Sequence, residues 1–160
     1  MSNENRTSDR IRAWLQEGNY SAQDSSEQGK VFVIIANELS GTGFGFGVRQ
    51  DLGKPRVIAL ALTIPFDSYR EHLSGEPEKR YSFLRDLRLK LIEFDVEFNL
   101  PPEFTFVTIA KRIYLDGLSE DSFWRHVHEL RRAMLLVVWS LEQQFLIPFS
   151  DPSSFNVTTK

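Results

Sequence analysis

One long helix is predicted for SEDSFWRHVHELRRAMLLVVWSLEQQFL, residues 119–146 of a 160-residue chain. Ser119 is a residue type that caps helices, because its hydroxyl can accept a hydrogen bond from a free backbone N–H of the first turn. Glu120 and Asp121 follow, where the helix dipole favours negative charge. The helix is therefore expected to begin at Ser119 and to end near Leu146.

Apolar residues line this helix on more than one side. One stripe recurs at steps of three and four residues and is expected to pack in the core: Phe123, Val127, Leu130, Met134, Val137, Val138, Leu141 and Phe145. A second row lies roughly 110° further round the helix, since each residue turns about 100°. It contains Trp124, His128, Leu135, Trp139 and Leu146. A sheet is expected to cover one side, and a second helix, a second subunit or a bound peptide the other.

The remaining segments predict an α+β fold with an antiparallel sheet and helices on one face. Strands separated by short turns favour an antiparallel meander, and strands in a run followed by helices are typical of this class. The predicted order is a helix at 8–18, strands at 31–36, 43–50 and 57–64, a helix at 78–93, strands at 96–100 and 104–115, and the long helix. Residues 20–26 are only weakly strand-like. We expect disorder at residues 1–7, a single domain at 8–147 and a flexible tail at 148–160.

Two segments carry more specific expectations. In the strand 57–64, Ile58, Leu60, Leu62 and Ile64 form a face of larger residues that should meet the helices. The stretch 66–79 is polar, contains Gly75 and Pro77, and is expected to be mobile; the sequence leaves open whether it orders on binding.

Composition excludes several function classes. The formal net charge of −3 and the pI near 5.7 argue against a nucleic-acid-binding protein, which usually has a basic excess. The chain has no cysteine, which rules out disulfides and thiolate metal sites. The apolar run 133–139 is too short to cross a membrane, which needs about 20 residues. The polar N-terminus lacks the apolar segment of a signal peptide, so we expect a cytoplasmic protein.

No motif predicts catalysis, a cofactor or a metal. The segment Gly41-Thr-Gly-Phe-Gly-Phe-Gly47 is followed by a strand rather than a helix, so a hairpin turn is favoured over a phosphate-binding loop. A smaller possibility is that its glycines let another backbone or a ligand approach closely. His126 and His128 are two residues apart on a helix and point to different sides, so they cannot chelate one ion. His72 has no evident catalytic partner, and we expect the protein not to be an enzyme.

Three segments resemble a known family. They are Ile11-Arg-Ala-Trp-Leu-Gln-Glu-Gly18, Phe83-Leu-Arg-Asp-Leu-Arg88 and Arg112-Ile-Tyr-Leu-Asp-Gly-Leu118. Together with the order of elements, they are similar to an uncharacterised family of small prokaryotic proteins related in fold to YbjN proteins and class I type III secretion chaperones. The resemblance implies an α-β-β-β-α-β-β-α domain, often dimeric. It also implies a role like that of the secretion relatives, which bind extended segments of partner proteins.

Two hypotheses follow. The first is a non-enzymatic, chaperone-like binding protein, a homodimer that engages a protein segment, with Trp124, His128, Leu135 and Trp139 as its partner or dimer face. The alternative is a small-molecule-binding or weakly enzymatic domain, which would need a closed pocket with converging polar groups around His72, Arg88 or Lys111. A third possibility is that Leu135 and Trp139 are buried under the first helix.

Overall fold

The computed structural model describes residues 3–101, 103 and 105–146 of the chain. The helices are α1 (Asn3–Glu17), α2 (Arg70–Gly75), α3 (Pro77–Glu93) and α4 (Glu120–Phe145). The strands are β1 (Tyr20–Ser25), β2 (Lys30–Glu38), β3 (Gly45–Asp51), β4 (Val57–Pro65), β5 (Glu97–Asn99) and β6 (Phe106–Tyr114). Short 3₁₀ turns at Asp67–Tyr69 and Leu115–Gly117 precede α2 and α4.

The strands form one antiparallel sheet in the order β1-β2-β3-β4-β6-β5. Helix α1 packs on β1 and β2, α4 packs on β4 and β6, and α3 packs against α4. The buried side chains of these helices and of one sheet face form one connected hydrophobic core. The predicted α+β class, with helices on one face of an antiparallel sheet, is confirmed.

Strand β4 is the centre of this core. Ile58, Leu60 and Ile64 are fully buried and Leu62 nearly so, whereas the alternate residues Val57, Ala59 and Thr63 are half-buried on the other face. Because side chains alternate across a strand, this division follows directly from the sequence pattern. The prediction that the larger face meets the helices is confirmed.

Helix α4 begins as its sequence predicts. The Ser119 hydroxyl accepts a hydrogen bond of 3.1 Å from the Ser122 backbone N–H, and the Ser122 hydroxyl accepts one of 2.9 Å from the Ser119 N–H. This reciprocal capping box satisfies two backbone donors that the first turn leaves free. The helix ends at Phe145, where Leu146 adopts a left-handed conformation with φ of 54°.

Three segments differ from the prediction. Helix α1 begins at Asn3, within the segment expected to be disordered, rather than at residue 8. Ser8 is buried within it, because Ser8, Ile11 and Leu15 share the side that faces the sheet. The weakly strand-like residues form β1, a full six-residue strand paired with β2. Within the stretch predicted to be mobile, a 3₁₀ turn and α2 form instead, and they bury Tyr69 and Leu73 in the core. The predicted tail at 148–160 lies outside the described residues.

Candidate functional site

The predicted partner face on α4 divides into exposed and half-buried residues. His128 and Trp139 are exposed, whereas Trp124 and Leu135 are half-buried and pack against the core. The division has a geometric cause: Trp124 and Leu135 lie closer to the core stripe round the helix than His128 and Trp139 do. Whether the four residues contact a partner stays a prediction, and the structure defines which of them a partner could reach most fully.

Trp139 is the most exposed residue of an apolar patch. Its side chain is 62% exposed, and the half-buried Leu135 and Leu136 precede it by four and three residues. Residues at these spacings are neighbours on a helix surface. We call Leu135, Leu136 and Trp139 the Trp139 patch. The possibility that Trp139 is buried under α1 is wrong.

Trp124 packs inside the molecule. Its ring centroid lies 5.5 Å from that of Tyr20 and 5.3 Å from that of Phe123. Gly18, directly after α1, lies against its indole ring. These contacts fix the side chain between α1, β1 and α4, so most of the ring packs against the core. Its exposed part borders a shallow surface depression.

The depression beside Trp124 carries charges of both signs. Arg125, His128 and Arg132 line it along the outer side of α4, together with Asp121 and Glu129. The Arg132 guanidinium lies 5.6 Å from the centroid of the Phe94 ring, a distance suited to a cation–π contact. The outer side of α4 therefore has a charged half followed by the apolar Trp139 patch.

Helix α3 exposes apolar residues that the sequence analysis does not single out. Tyr81, Leu89 and Ile92 are all more than half exposed, whereas Leu84, Leu87 and Leu91 are buried. The sequence positions of Leu89 and Ile92 could have indicated this surface. The two residues are three apart, so they are neighbours on the helix, and they lie away from the row of buried residues. They add a second exposed apolar surface to that of α4.

The polar residues proposed for a small-molecule site do not converge. His72 stacks on Phe145, with ring centroids 5.9 Å apart, and lines a cavity between α2, α3 and the end of α4. Lys111 lies in a different cavity, where its ammonium group donates a hydrogen bond of 2.8 Å to the Asp95 carbonyl and forms an ion pair of 2.9 Å with Glu129. Arg88 is exposed on α3. These three residues therefore do not share one pocket, and a small-molecule site around one of them stays a prediction.

The two histidines of α4 have separate surroundings. A ring nitrogen of His126, Nδ1, is 2.6 Å from the Ser122 carbonyl oxygen, whereas His128 is exposed. Among the residues that the structure describes, no three or more His, Asp or Glu side chains are grouped to hold a metal ion.

The glycine-rich segment forms the predicted hairpin between β2 and β3. Gly41 and Gly43 have φ values of 77° and 74°, which favour glycine in the turn. Phe44 and Phe46 are buried beside Tyr20, with ring centroids 6.4 and 5.8 Å from its own. The hairpin interpretation is confirmed.

Tyr20 joins this hairpin to α4. Burial raises the pKa of its phenol, and the negative charge of Glu38 raises it further. Arg131 opposes both effects through its charge and a hydrogen bond to the phenol, and it also forms an ion pair of 3.3 Å with Glu38. The arrangement stabilises a neutral phenol at the junction of β1, β3 and α4.

The opposite face of the sheet contains a cavity of about 210 Å³ that the sequence analysis missed. Its floor consists of small residues, and four cationic and two anionic side chains line it. The helices pack on the other side of the sheet, so this cavity is separate from the Trp139 patch.

The sequence matches a family model over residues 7–141. The family is DUF2299, described as an uncharacterized conserved protein. This chain belongs to the DUF2299 family. The expected membership of an uncharacterised family is therefore confirmed.

Two solved structures are similar to this DUF2299 chain. The crystal structure of an uncharacterized protein from Methanothermobacter thermautotrophicus is 25% identical, with a TM-score of 0.79, and the match covers 87% of this chain and 99% of that one. The crystal structure of the ExsC-ExsE complex is 14% identical, with a TM-score of 0.43, and the match covers 89% of this chain and 97% of that one. No curated protein matches the chain. Within the described residues, no helix has the length and apolar character needed to cross a membrane.

Proposed function

We propose that this DUF2299 protein is a non-enzymatic protein-binding domain that forms a homodimer through the outer side of α4. The observation that carries the proposal is the 62% exposure of Trp139 beside Leu135 and Leu136. Tryptophan is enriched among the residues that dominate binding energy, and exposed apolar patches often mark interaction sites. Trp139 would be the central contact of such an interface.

The charge distribution of α4 favours a symmetric, antiparallel pairing. The exposed Arg125, His128 and Arg132 precede the Trp139 patch, and the exposed, uncharged Gln143 and Gln144 follow it. In a twofold interface centred on Trp139, residues before the centre on one copy face residues after the centre on the other. This arrangement keeps the two charged segments apart and brings the Leu135–Trp139 surfaces together.

A second exposed apolar surface, on α3, suits a protein segment bound to the dimer. Tyr81, Leu89 and Ile92 on α3 provide apolar contacts outside the proposed dimer interface. The sequence resemblance to class I type III secretion chaperones agrees with such a role, as does the arrangement of helices on one sheet face. The likeness to YbjN proteins and the cytoplasmic location stay predictions.

Light scattering on the wild type and on Trp139→Glu tests the proposal. We expect a dimeric wild type and a folded, monomeric variant, because a buried carboxylate at the interface centre would be costly to desolvate. Circular dichroism reports whether the variant folds. Tyr114→Glu is the matched control: Tyr114 is 67% exposed at the end of β6, and its substitution should leave the dimer intact. A monomeric wild type, or a Trp139→Glu protein that remains dimeric, would overturn the dimer.

A further inference from the structure

The open face of the sheet has a floor of small side chains. In register across three strands, Gly47 of β3 lies beside Ala61 of β4, and Ala61 lies beside Ala110 of β6. Ala59 occupies the next position on this face of β4, two residues from Ala61. Small side chains at the centre of a sheet leave room above the backbone, which produces the 210 Å³ cavity.

Two arginines stand on either side of this floor. Arg49 pairs with Ala59 across β3 and β4, and Ala59 pairs with Arg112 across β4 and β6. Neighbouring strands are about 4.8 Å apart, so the two arginine backbones are about 10 Å apart with Ala59 between them. Both side chains point to the open face, because residues paired directly across strands share a face.

The charged groups of the cavity differ in whether they have a partner. Lys30 forms an ion pair with Asp51, and Arg112 forms one of 2.9 Å with Glu97. Arg49 has no ion pair within the described part of the chain, and its Nε atom is buried without a hydrogen-bond partner. A buried donor without an acceptor is unfavourable, so an acceptor that reached Arg49 would be favoured.

The lining as a whole attracts anions. Lys30, Arg49, Lys54 and Arg112 outnumber Asp51 and Glu97 by two formal charges, although the whole chain has a net charge of −3. A concave surface of one sign concentrates ions of the opposite sign. The guanidinium group also matches the geometry of carboxylate and phosphate oxygens, because it offers parallel N–H donors.

We propose that this cavity binds a small oxyanion-bearing ligand, a carboxylate or a phosphate, with Arg49 as its principal donor. The ligand's oxygens would lie between Arg49 and Arg112, and its remaining atoms would lie over Ala59, Ala61 and Ala110. The volume favours a ligand smaller than a drug-sized molecule, for which pockets are commonly about 300–1,000 Å³. This function is separate from dimer formation, since the cavity and α4 lie on opposite faces of the sheet.

An NMR titration tests the site directly. The ¹⁵N-labelled full chain is titrated with sodium phosphate and, separately, with sodium succinate, at neutral pH and low ionic strength. We expect saturable shifts at the Arg49 Nε–H and at the backbone amides of Gly47, Ala59 and Ala61. Saturation by phosphate alone, by succinate alone or by both supports the site and identifies the class of oxyanion. An absence of saturable shifts with both anions would overturn it.

Matched variants assign the binding to Arg49. Arg49→Met should weaken binding about tenfold or more, which corresponds to the loss of a hydrogen bond to a charged group. Arg85→Met changes the charge equally on the exposed surface of α3 and should leave the affinity unchanged. Equal affinities in these two variants would contradict the assignment.

Ala59→Glu provides a second test that keeps both arginines. A glutamate at position 59 would place a carboxylate between Arg49 and Arg112, where it should compete with the added anion and weaken binding about tenfold or more. An unchanged affinity in a folded Ala59→Glu protein would overturn the proposal. Trp139→Glu should titrate as the wild type does, so failure of the dimer and failure of this site are distinguishable.

Discussion

Gly18, the residue after α1, lies so close to Trp124 of α4 that a Cβ atom at position 18 would be 2.3 Å from Trp124 Cζ2. The Trp14 carbonyl oxygen lies 3.2 Å from the same position. Gly18 therefore does more than end the first helix: its missing side chain allows α1 and β1 to approach α4. Trp124 is held by this contact and by the Tyr20 and Phe123 rings.

Gly18→Ala is expected to lower the free energy of unfolding by about 1–3 kcal/mol, the range typical of overpacking in a well-packed interior. The cause is steric, because the indole ring and a backbone carbonyl occupy the space that the methyl group needs. Urea unfolding followed by tryptophan fluorescence measures the change, and a shift in the emission of the folded state would report movement of Trp124.

Gly53→Ala is the matched control, because a Cβ atom at Gly53 would meet nothing within 4 Å. Its effect should stay within about 0.5 kcal/mol, as for most surface substitutions. Equal stabilities of the two variants would show that the α1–α4 junction can relax around an added methyl group.

The sequence predicts those parts of the fold that depend on local pattern. The cap at Ser119 and the core stripe of α4 follow from residue type and helical spacing, and the two faces of β4 follow from alternation. These features need no knowledge of distant residues. The same is true of the β2–β3 hairpin, whose glycines adopt the positive φ values that the turn requires.

The sequence does not predict features that depend on which elements meet. Trp124 resembles Trp139 in the sequence of α4, but only Trp124 lies opposite Gly18. Likewise, residues 67–75 are polar, yet Tyr69 and Leu73 reach the core because α2 lies beside the end of α4. The anion cavity requires the register that places Ala59 between Arg49 and Arg112, and strand pairing sets that register.

Lys111→Met is expected to destabilise the protein by about 1–3 kcal/mol, the range for losing hydrogen bonds to a charged group. Lys111 is 8% exposed, and its ammonium group contacts both the Asp95 carbonyl and Glu129. Methionine retains the apolar length of the side chain but leaves that carbonyl and carboxylate without their partner. Because Glu129 is partly exposed, water can replace some of the lost interaction. Chemical denaturation measures the difference.

Arg56→Met provides the comparison for an exposed ion pair. Arg56 pairs with Asp116, and both side chains are about three-quarters exposed. Exposed pairs contribute about 0–1 kcal/mol, so this variant should remain close to the wild type. If both variants lost the same stability, the burial of Lys111 would have no energetic consequence.

The stability of the fold is expected to decrease as the pH rises above 10.0, the ordinary pKa of tyrosine. Burial, followed by the charge of Glu38, raises the pKa of Tyr20, and burial also raises the pKa of Tyr69. Above this pH the unfolded chain loses these protons before the folded protein does, so deprotonation favours unfolding. The stabilisation that the neutral phenols provide is fully present below pH 10.0 and is lost as the pH rises through the raised pKa values of the folded protein.

Tyr20→Phe should make this pH dependence shallower, because phenylalanine keeps the ring contacts with Phe46 and Trp124 but has no proton to lose. Urea denaturation at a series of pH values on both sides of 10.0 measures the slope. Tyr69 should preserve part of the dependence, since its pKa is shifted in the same direction. Tyr114→Phe, at an exposed ring, is the matched control. A Tyr20→Phe slope as steep as that of the wild type would mean that the Tyr20 phenol ionises as readily in the folded protein as in the unfolded chain.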